Sequence, residues 1–255
     1  MGSRWASDHQ LTASDPKALL YSLPKPGAGP SDHAWLAGLT PDWLQVLTFR
    51  LPGRENRFTE PPLSAMPALV ADLAERCAED VAVRGLPFLL LGDCGGAYGA
   101  YEVARALERA GTPPLSLVVL GQSGPAGARP EHPLHAMPAE ELWQALAEGA
   151  MAPFDLDDPP ARDFFEPMVR ADLTLIETYS WDPADLPAVP VTVLPPGTGE
   201  DRARQAVAAW SAATTGQVSL LPAGGTATEA DRRAVCAELA RLAHQPAAGH
   251  RTRKG

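Results

Sequence analysis

The sequence predicts an α/β fold: a mostly parallel sheet with helices on both faces and a helical lid inserted over one end. Three observations carry that prediction. Short apolar runs alternate with helical patterns along most of the chain, the arrangement of a parallel sheet whose crossovers are helices. One of these runs passes through the glycine-rich turn Gly92-Asp93-Cys94-Gly95-Gly96 straight into a helical pattern. From about residue 131 to 181 the alternation stops, and helix follows helix with no strand between. An insertion of that size between two strands usually lies over the sheet ends.

In chain order, the apolar runs 19–23 and 45–51 predict the first two strands, and residues 66–83 the first long helix. A strand at 88–91 feeds the turn at 92–96, a helix follows over 98–110, and a fourth strand over 115–120. Within the insertion, 139–147 and 164–179 are the clearest helices, separated by the acidic, proline-broken segment 154–160. A strand at 189–194, a helix at 203–213, a strand at 218–221 and a helix at 229–244 complete the pattern. Residues 1–17 and 245–255 are polar or broken by proline and glycine, and read as flexible termini. One domain over 18–244, with a lid at about 131–181, is therefore expected.

Composition narrows the function classes. The 255 residues suffice for one sizeable core, built mainly from Leu, Val and Ala because aromatics are few. A net charge of -10 argues against a nucleic-acid partner, which needs a clustered basic face. No apolar run approaches the ~20 residues that span a bilayer, and the first eight residues lack the apolar core of a signal peptide. The three cysteines, Cys77, Cys94 and Cys236, have no metal-ligand spacing, and their odd number fits a reducing cytosol. A cytoplasmic monomer with no membrane association, metal or cofactor is the expectation. Cys77 and Cys236 fall within helical patterns and read as buried small hydrophobes.

Cys94 reads differently. Strand, G-x-nucleophile-x-G, helix is the layout of the nucleophile elbow of α/β-hydrolases. So sharp a turn crowds the backbone, and only small residues fit at 92, 95 and 96. The geometry lifts the central side chain out of the sheet toward a substrate.

Further motifs extend the likeness. Leu51-Pro52-Gly53-Arg54 followed by Arg57-Phe58, Pro133-Leu134-His135-Ala136-Met137-Pro138, and Arg170-Ala171-Asp172 with Glu177-Thr178-Tyr179 join the elbow. Together they resemble the stand-alone (type II) thioesterases of polyketide and nonribosomal peptide assembly lines, over residues 20–242. The resemblance implies an α/β-hydrolase fold and an acyl group presented as a thioester on an acyl or peptidyl carrier protein. It also implies a serine, aspartate and histidine triad, and four positions depart from the family pattern. Cys94 replaces the serine. Gly199 stands where the acid is expected, with Glu200 and Asp201 one and two residues too late. Gly225-Thr226 stands where the histidine is expected. Pro26 replaces an alanine whose N–H lines the oxyanion hole, and proline has no N–H to donate. Hydrolysis by the family route is not expected.

A thiol is partly ionised at neutral pH without an adjacent base, and an elbow places it at a helix N-terminus, where the dipole favours thiolate. Thioester exchange onto Cys94 therefore remains possible when the triad histidine is lost. Asp93 opposes this if its side chain points inward. The thioesterase-like chain with a cysteine elbow also resembles the Dieckmann-type cyclases of this fold that release tetramate and pyridone products. Their acid follows the strand equivalent to 115–120, where this chain has Gly121-Gln122.

The expected site is Cys94 as nucleophile, with oxyanion donors at Gly95 and, next after Pro26, Gly27. Pro26, Asp93, Gln122 and His135 are expected to border the substrate. His33 is the candidate base, because its loop follows the first strand; the alternative is an exposed residue at a helix start. Asp32, its neighbour, points elsewhere if both are helical. His135 also reads as a structural lid contact, His244 as a helix-end residue, and His9, His132 and His250 as exposed. Cysteine-dependent acyl transfer or cyclising chain release is the leading expectation. The alternatives are an inactive carrier- or ligand-binding protein and a slow editing thioesterase.

Overall fold

The computed structural model describes residues 5–8, 15–126, 130–148, 158–221 and 223–244. Its seven strands are β1 Ala6–Asp8, β2 Ala18–Leu23, β3 Leu44–Phe49, β4 Phe88–Asp93, β5 Leu117–Leu120, β6 Val191–Leu194 and β7 Val218–Leu220. They form one sheet in the order β1-β3-β2-β4-β5-β6-β7. All pairings are parallel except β1 with β3, so the fold is the predicted α/β-hydrolase type. The six predicted strands are all present, with ends moved by a few residues.

β1 corrects the expectation of a frayed terminus over 1–17. Ala6 lies opposite Phe49 in an antiparallel ladder, and the Trp5 ring sits 5.9 Å from Tyr21 and 5.7 Å from Phe49. Packing one half-buried tryptophan and pairing three residues holds that segment to the edge strand. Residues 1–4, 9–14 and 245–255 lie outside the described residues, as do 154–157 of the acidic segment.

The helices are α1 Ala34–Leu39, α2 Met66–Arg84, α3 Gly96–Arg109, α4 Ala139–Glu148, α5 Pro159–Glu177, α6 Glu200–Ser211 and α7 Glu229–Ala243. α2 begins with Pro67 in its first turn, where a missing N–H costs nothing. It ends on Gly85 at φ +65°, the left-handed stop that glycine adopts without strain. Among the described residues no helix is long and apolar enough to cross a membrane.

Strand side chains alternate between two cores. Leu19, Tyr21, Phe49, Leu90 and Val119 pack with α2, α3 and α6 on one face. Leu20, Val46, Leu89, Leu91 and Val118 pack with α1 and α7 on the other. Both faces are covered, which is why these strands read as continuous apolar runs rather than alternating ones. Each fully buried leucine contributes about 1.5–3 kcal/mol relative to exposure. The insertion between β5 and β6 has a small core of its own, where Leu142, Trp143 and Leu146 of α4 meet Met168, Val169 and Leu173 of α5.

Candidate active site

β4 delivers Cys94 at its C-terminal end, where ligands of open parallel sheets bind. The Cys94 backbone is at φ +48°, a strained conformation for any residue with a side chain. Its N–H donates to the Leu120 carbonyl at 2.8 Å, and its own carbonyl accepts from Ala97 N–H at 2.9 Å. The flanking glycines are there because backbone comes too close for a side chain. A Cβ at position 92 would lie 2.4 Å from Ala97 Cα, and one at position 96 would lie 2.4 Å from the Pro24 carbonyl oxygen. The elbow inferred from the sequence is present in its geometry.

The electrostatics of Cys94 correct one expectation. Burial pushes the thiol above its ordinary range, and the Asp93 carboxylate pushes the same way. The facing Gly95 backbone N–H and the Lys25 ammonium pull it back, and the net shift is upward. Burial therefore works against the thiolate that a helix N-terminus favours.

Closure is the work of α5. A Cβ on Gly95 would lie 2.1 Å from Ile176 Cδ1 and 3.1 Å from Pro26 Cγ. The Ile176 side chain thus rests directly on the elbow. The cavity lined by Lys25, Pro26, Gly95, Asp172 and Ile176, among others, offers water only about 30 Å³.

Gly27 also departs from expectation. Its N–H, at the head of the loop after β2, donates to Asp172 Oδ2 at 2.8 Å, so in this conformation it is engaged rather than free to meet an oxyanion. The same carboxylate receives Arg54 Nη2 at 2.7 and 2.9 Å, while Arg54 Nη1 reaches the Ala28 carbonyl at 2.5 Å. Arg54 and Asp172 are buried to the same degree, each side chain 6% exposed. Both came from motifs that the sequence singled out. Their partnership, across 118 residues, was not legible there, and it explains the motifs: they fasten the insertion to the sheet.

The remaining motif residues do the same. Glu177 accepts from the backbone N–H groups of Leu134 and His135 at 2.8 Å each, and it meets His135 Nδ1 at 2.6 Å. Arg170 donates to the carbonyls of His135 and Met137. His135 is therefore bound into the lid clamp, the structural alternative to substrate contact. Tyr179 stacks on Tyr98 at 5.2 Å and bonds Glu102 at 2.5 Å.

His33 is buried, 1% exposed, not the exposed helix-start residue that was its alternative reading. Its Nε2 lies 3.6 Å from Asp93 Oδ2, and neither ring nitrogen has a hydrogen-bond partner, the Cys94 sulfur included. The structure thus joins His33 to Asp93 rather than to the nucleophile. Asp32 is drawn into the same cluster, and Lys25 Nζ sits 3.6 Å from Asp32 Oδ1. Asp93 does point inward.

The family acid and histidine positions supply no replacement. Gly199, at φ +107°, precedes α6. Glu200 and Asp201 are 91% and 83% exposed and face Arg204. The Thr226 carbonyl accepts from Arg232 Nε at 2.7 Å. Gln122 contributes its carbonyl to Trp210 Nε1 at 3.1 Å. His244 stacks on Trp43 at 4.2 Å, and His132 is exposed. His9 and His250 lie outside the described residues.

The family model described as the thioesterase domain matches residues 19–241. The chain is 27% identical over 206 residues to the gramicidin S biosynthesis protein GrsT of Aneurinibacillus migulanus, covering 80% of this chain and 79% of that protein. It is 33% identical over 189 residues to the AMB antimetabolite synthetase AmbE of Pseudomonas aeruginosa, covering 71% of this chain but only 8% of that synthetase. Among solved structures, the type II thioesterase BorB from the borrelidin biosynthetic cluster superposes with a TM-score of 0.78 at 25% identity, covering 95% of this chain and 99% of that one. The RedJ thioesterase of the prodiginine pathway in Streptomyces coelicolor gives 0.74 at 26% identity, covering 90% and 87%.

Proposed function

The chain belongs to the thioesterase family, and we propose from that premise that Cys94 accepts acyl groups from carrier-protein thioesters. The named functions of GrsT, BorB and RedJ, with the motif resemblance, favour a polyketide or nonribosomal peptide assembly line as their source. Members of the family act without a cofactor. The observation that carries the reading is the retained elbow: Cys94 keeps the strained φ of +48° although the family acid and histidine positions hold Gly199 and Gly225-Thr226.

In the proposed step, the Cys94 sulfur attacks the thioester carbonyl and the oxyanion is met by the Gly95 N–H. The carbon–sulfur bond to the phosphopantetheine arm breaks, and the departing thiolate takes up the proton that Cys94 lost. Exchange between two thioesters is nearly balanced and needs little base. Hydrolysis of the acyl-cysteine needs an activated water, for which the family histidine is missing. A nucleophile within the substrate, or an acceptor, completes release by cyclisation or transfer. The lid must lift first, because Ile176 occupies the space above Gly95.

Intact-mass analysis after incubation with acyl-pantetheine thioesters tests this reading. The wild type should gain the acyl mass and Cys94→Ala should not. Equal labelling of both, or labelling of neither, would overturn it. A second reading, a non-catalytic protein that binds a carrier, is favoured by the engaged Gly27 N–H and the 30 Å³ cavity. Saturable binding of an acyl carrier protein in calorimetry, with no acyl mass gained by the wild type, is its signature.

A further inference from the structure

His33 is buried on all sides, yet both of its nitrogens lack a partner. An orphaned buried polar group in a native fold calls for an explanation, and an ion or a water is the usual one. Its Nε2 lies 3.6 Å from Asp93 Oδ2, too long for a good hydrogen bond. That separation is close to the ~3.4 Å between two ligands of a tetrahedral ion bound at about 2.0–2.1 Å to each. Asp32 supplies a third ligand atom, and the three ligand atoms of Asp32, His33 and Asp93 lie within 4.8 Å of one another.

We propose that Asp32, His33 and Asp93 bind a divalent transition-metal ion beside the nucleophile elbow. One imidazole with two carboxylates suits zinc, cobalt or manganese rather than magnesium or calcium, which take oxygen donors. The Cys94 sulfur is not part of the cluster. Three protein ligands leave a fourth position for water, the arrangement of catalytic rather than structural zinc sites. Asp93 immediately precedes Cys94 in the chain, so an ion held there would bring a water to the elbow. A bound ion acidifies such a water, the task that the family histidine otherwise performs. The competing cation is Lys25, 3.6 Å from Asp32 and with a third of its side chain exposed, free to swing outward when a metal enters. The proposal stands independently of acyl transfer to Cys94.

Equilibrium dialysis of the whole chain against ZnCl2, with visible absorption after CoCl2 addition, tests the site. The wild type should bind one ion per chain and shift its melting temperature upward on binding. Asp93→Asn and Asp32→Asn, which preserve side-chain shape where His33→Ala risks unfolding, should each weaken binding at least tenfold. Cys94→Ser should bind as the wild type does. Three results would overturn the proposal. One is no saturable binding, which would leave Lys25 as the cluster's cation. Another is wild-type affinity in both asparagine variants, and the third is loss of binding in Cys94→Ser, which would place the ion on the thiol.

Discussion

Replacing Asp172 by asparagine isolates what holds the insertion to the sheet. The carboxylate accepts three hydrogen bonds, one from Gly27 N–H and two from the Arg54 guanidinium. The asparagine amide keeps one accepting oxygen. Its NH2 then faces a donor, and the buried guanidinium loses its counter-charge. Removing one partner of a buried pair costs about 3–5 kcal/mol. At roughly 2–4 °C per kcal/mol for chains of about this size, the melting temperature should fall by roughly 6–20 °C. Urea unfolding followed by circular dichroism would measure the loss. The paired apolar replacement, Arg54→Met with Asp172→Leu, should cost less than the sum of its single changes, because no charge is left uncompensated. A loss below about 1 kcal/mol for Asp172→Asn would mean that the pair is solvated and that the insertion is held elsewhere.

The raised thiol of Cys94 sets a sign for pH dependence. Thiolate is the reacting form, so alkylation at neutral pH should be slower than for free cysteine and should still be climbing beyond the ordinary thiol value of 9.0. Asp93→Asn removes a charge that raises the pKa and should accelerate it; a rate independent of pH would refute the assignment. Cys77 and Cys236 are held up by burial, Cys236 to about 12. They should label with a thiol reagent only after denaturation, and prompt native-state labelling of either would contradict their burial. Gly96→Ala should lose several times more stability than Gly85→Ala. The first pushes a methyl to 2.4 Å from a backbone carbonyl, while the second faces open space and strains only φ. Similar losses on denaturant titration would mean that the elbow backbone can yield.

What the sequence revealed and what it hid divide along a physical line. Local crowding is written in residue type, so the elbow glycines announced a turn in which backbone meets backbone. Short apolar runs between helical patterns likewise located β2 to β7. β1 has three residues and α1 six, too few to set a period. The larger omissions are non-local. Gly27 looked available as an oxyanion donor because its acceptor, Asp172, lies 145 residues further on. His33 looked like a base in search of a nucleophile because Asp93 is near it only in the folded chain. The state of Cys94 depended on a sum of opposing effects, burial and Asp93 against Gly95 and Lys25, and helix position is one contribution among several.

The Glu177 clamp has a consequence for how this insertion can vary in length. By binding Leu134 and His135 from 43 and 42 residues away, one carboxylate closes the insertion into a ring whose ends meet before the chain re-enters the sheet. Loop-closure entropy grows only logarithmically, about 0.6 kcal/mol for each doubling of length. The sheet is therefore largely indifferent to how much chain the ring encloses, provided the two fastening points stay in place. Residues can be added to or removed from the span between α4 and α5 at small thermodynamic cost, which leaves the roof over Cys94 free to be refitted to substrates of different size while the elbow beneath it stays unchanged.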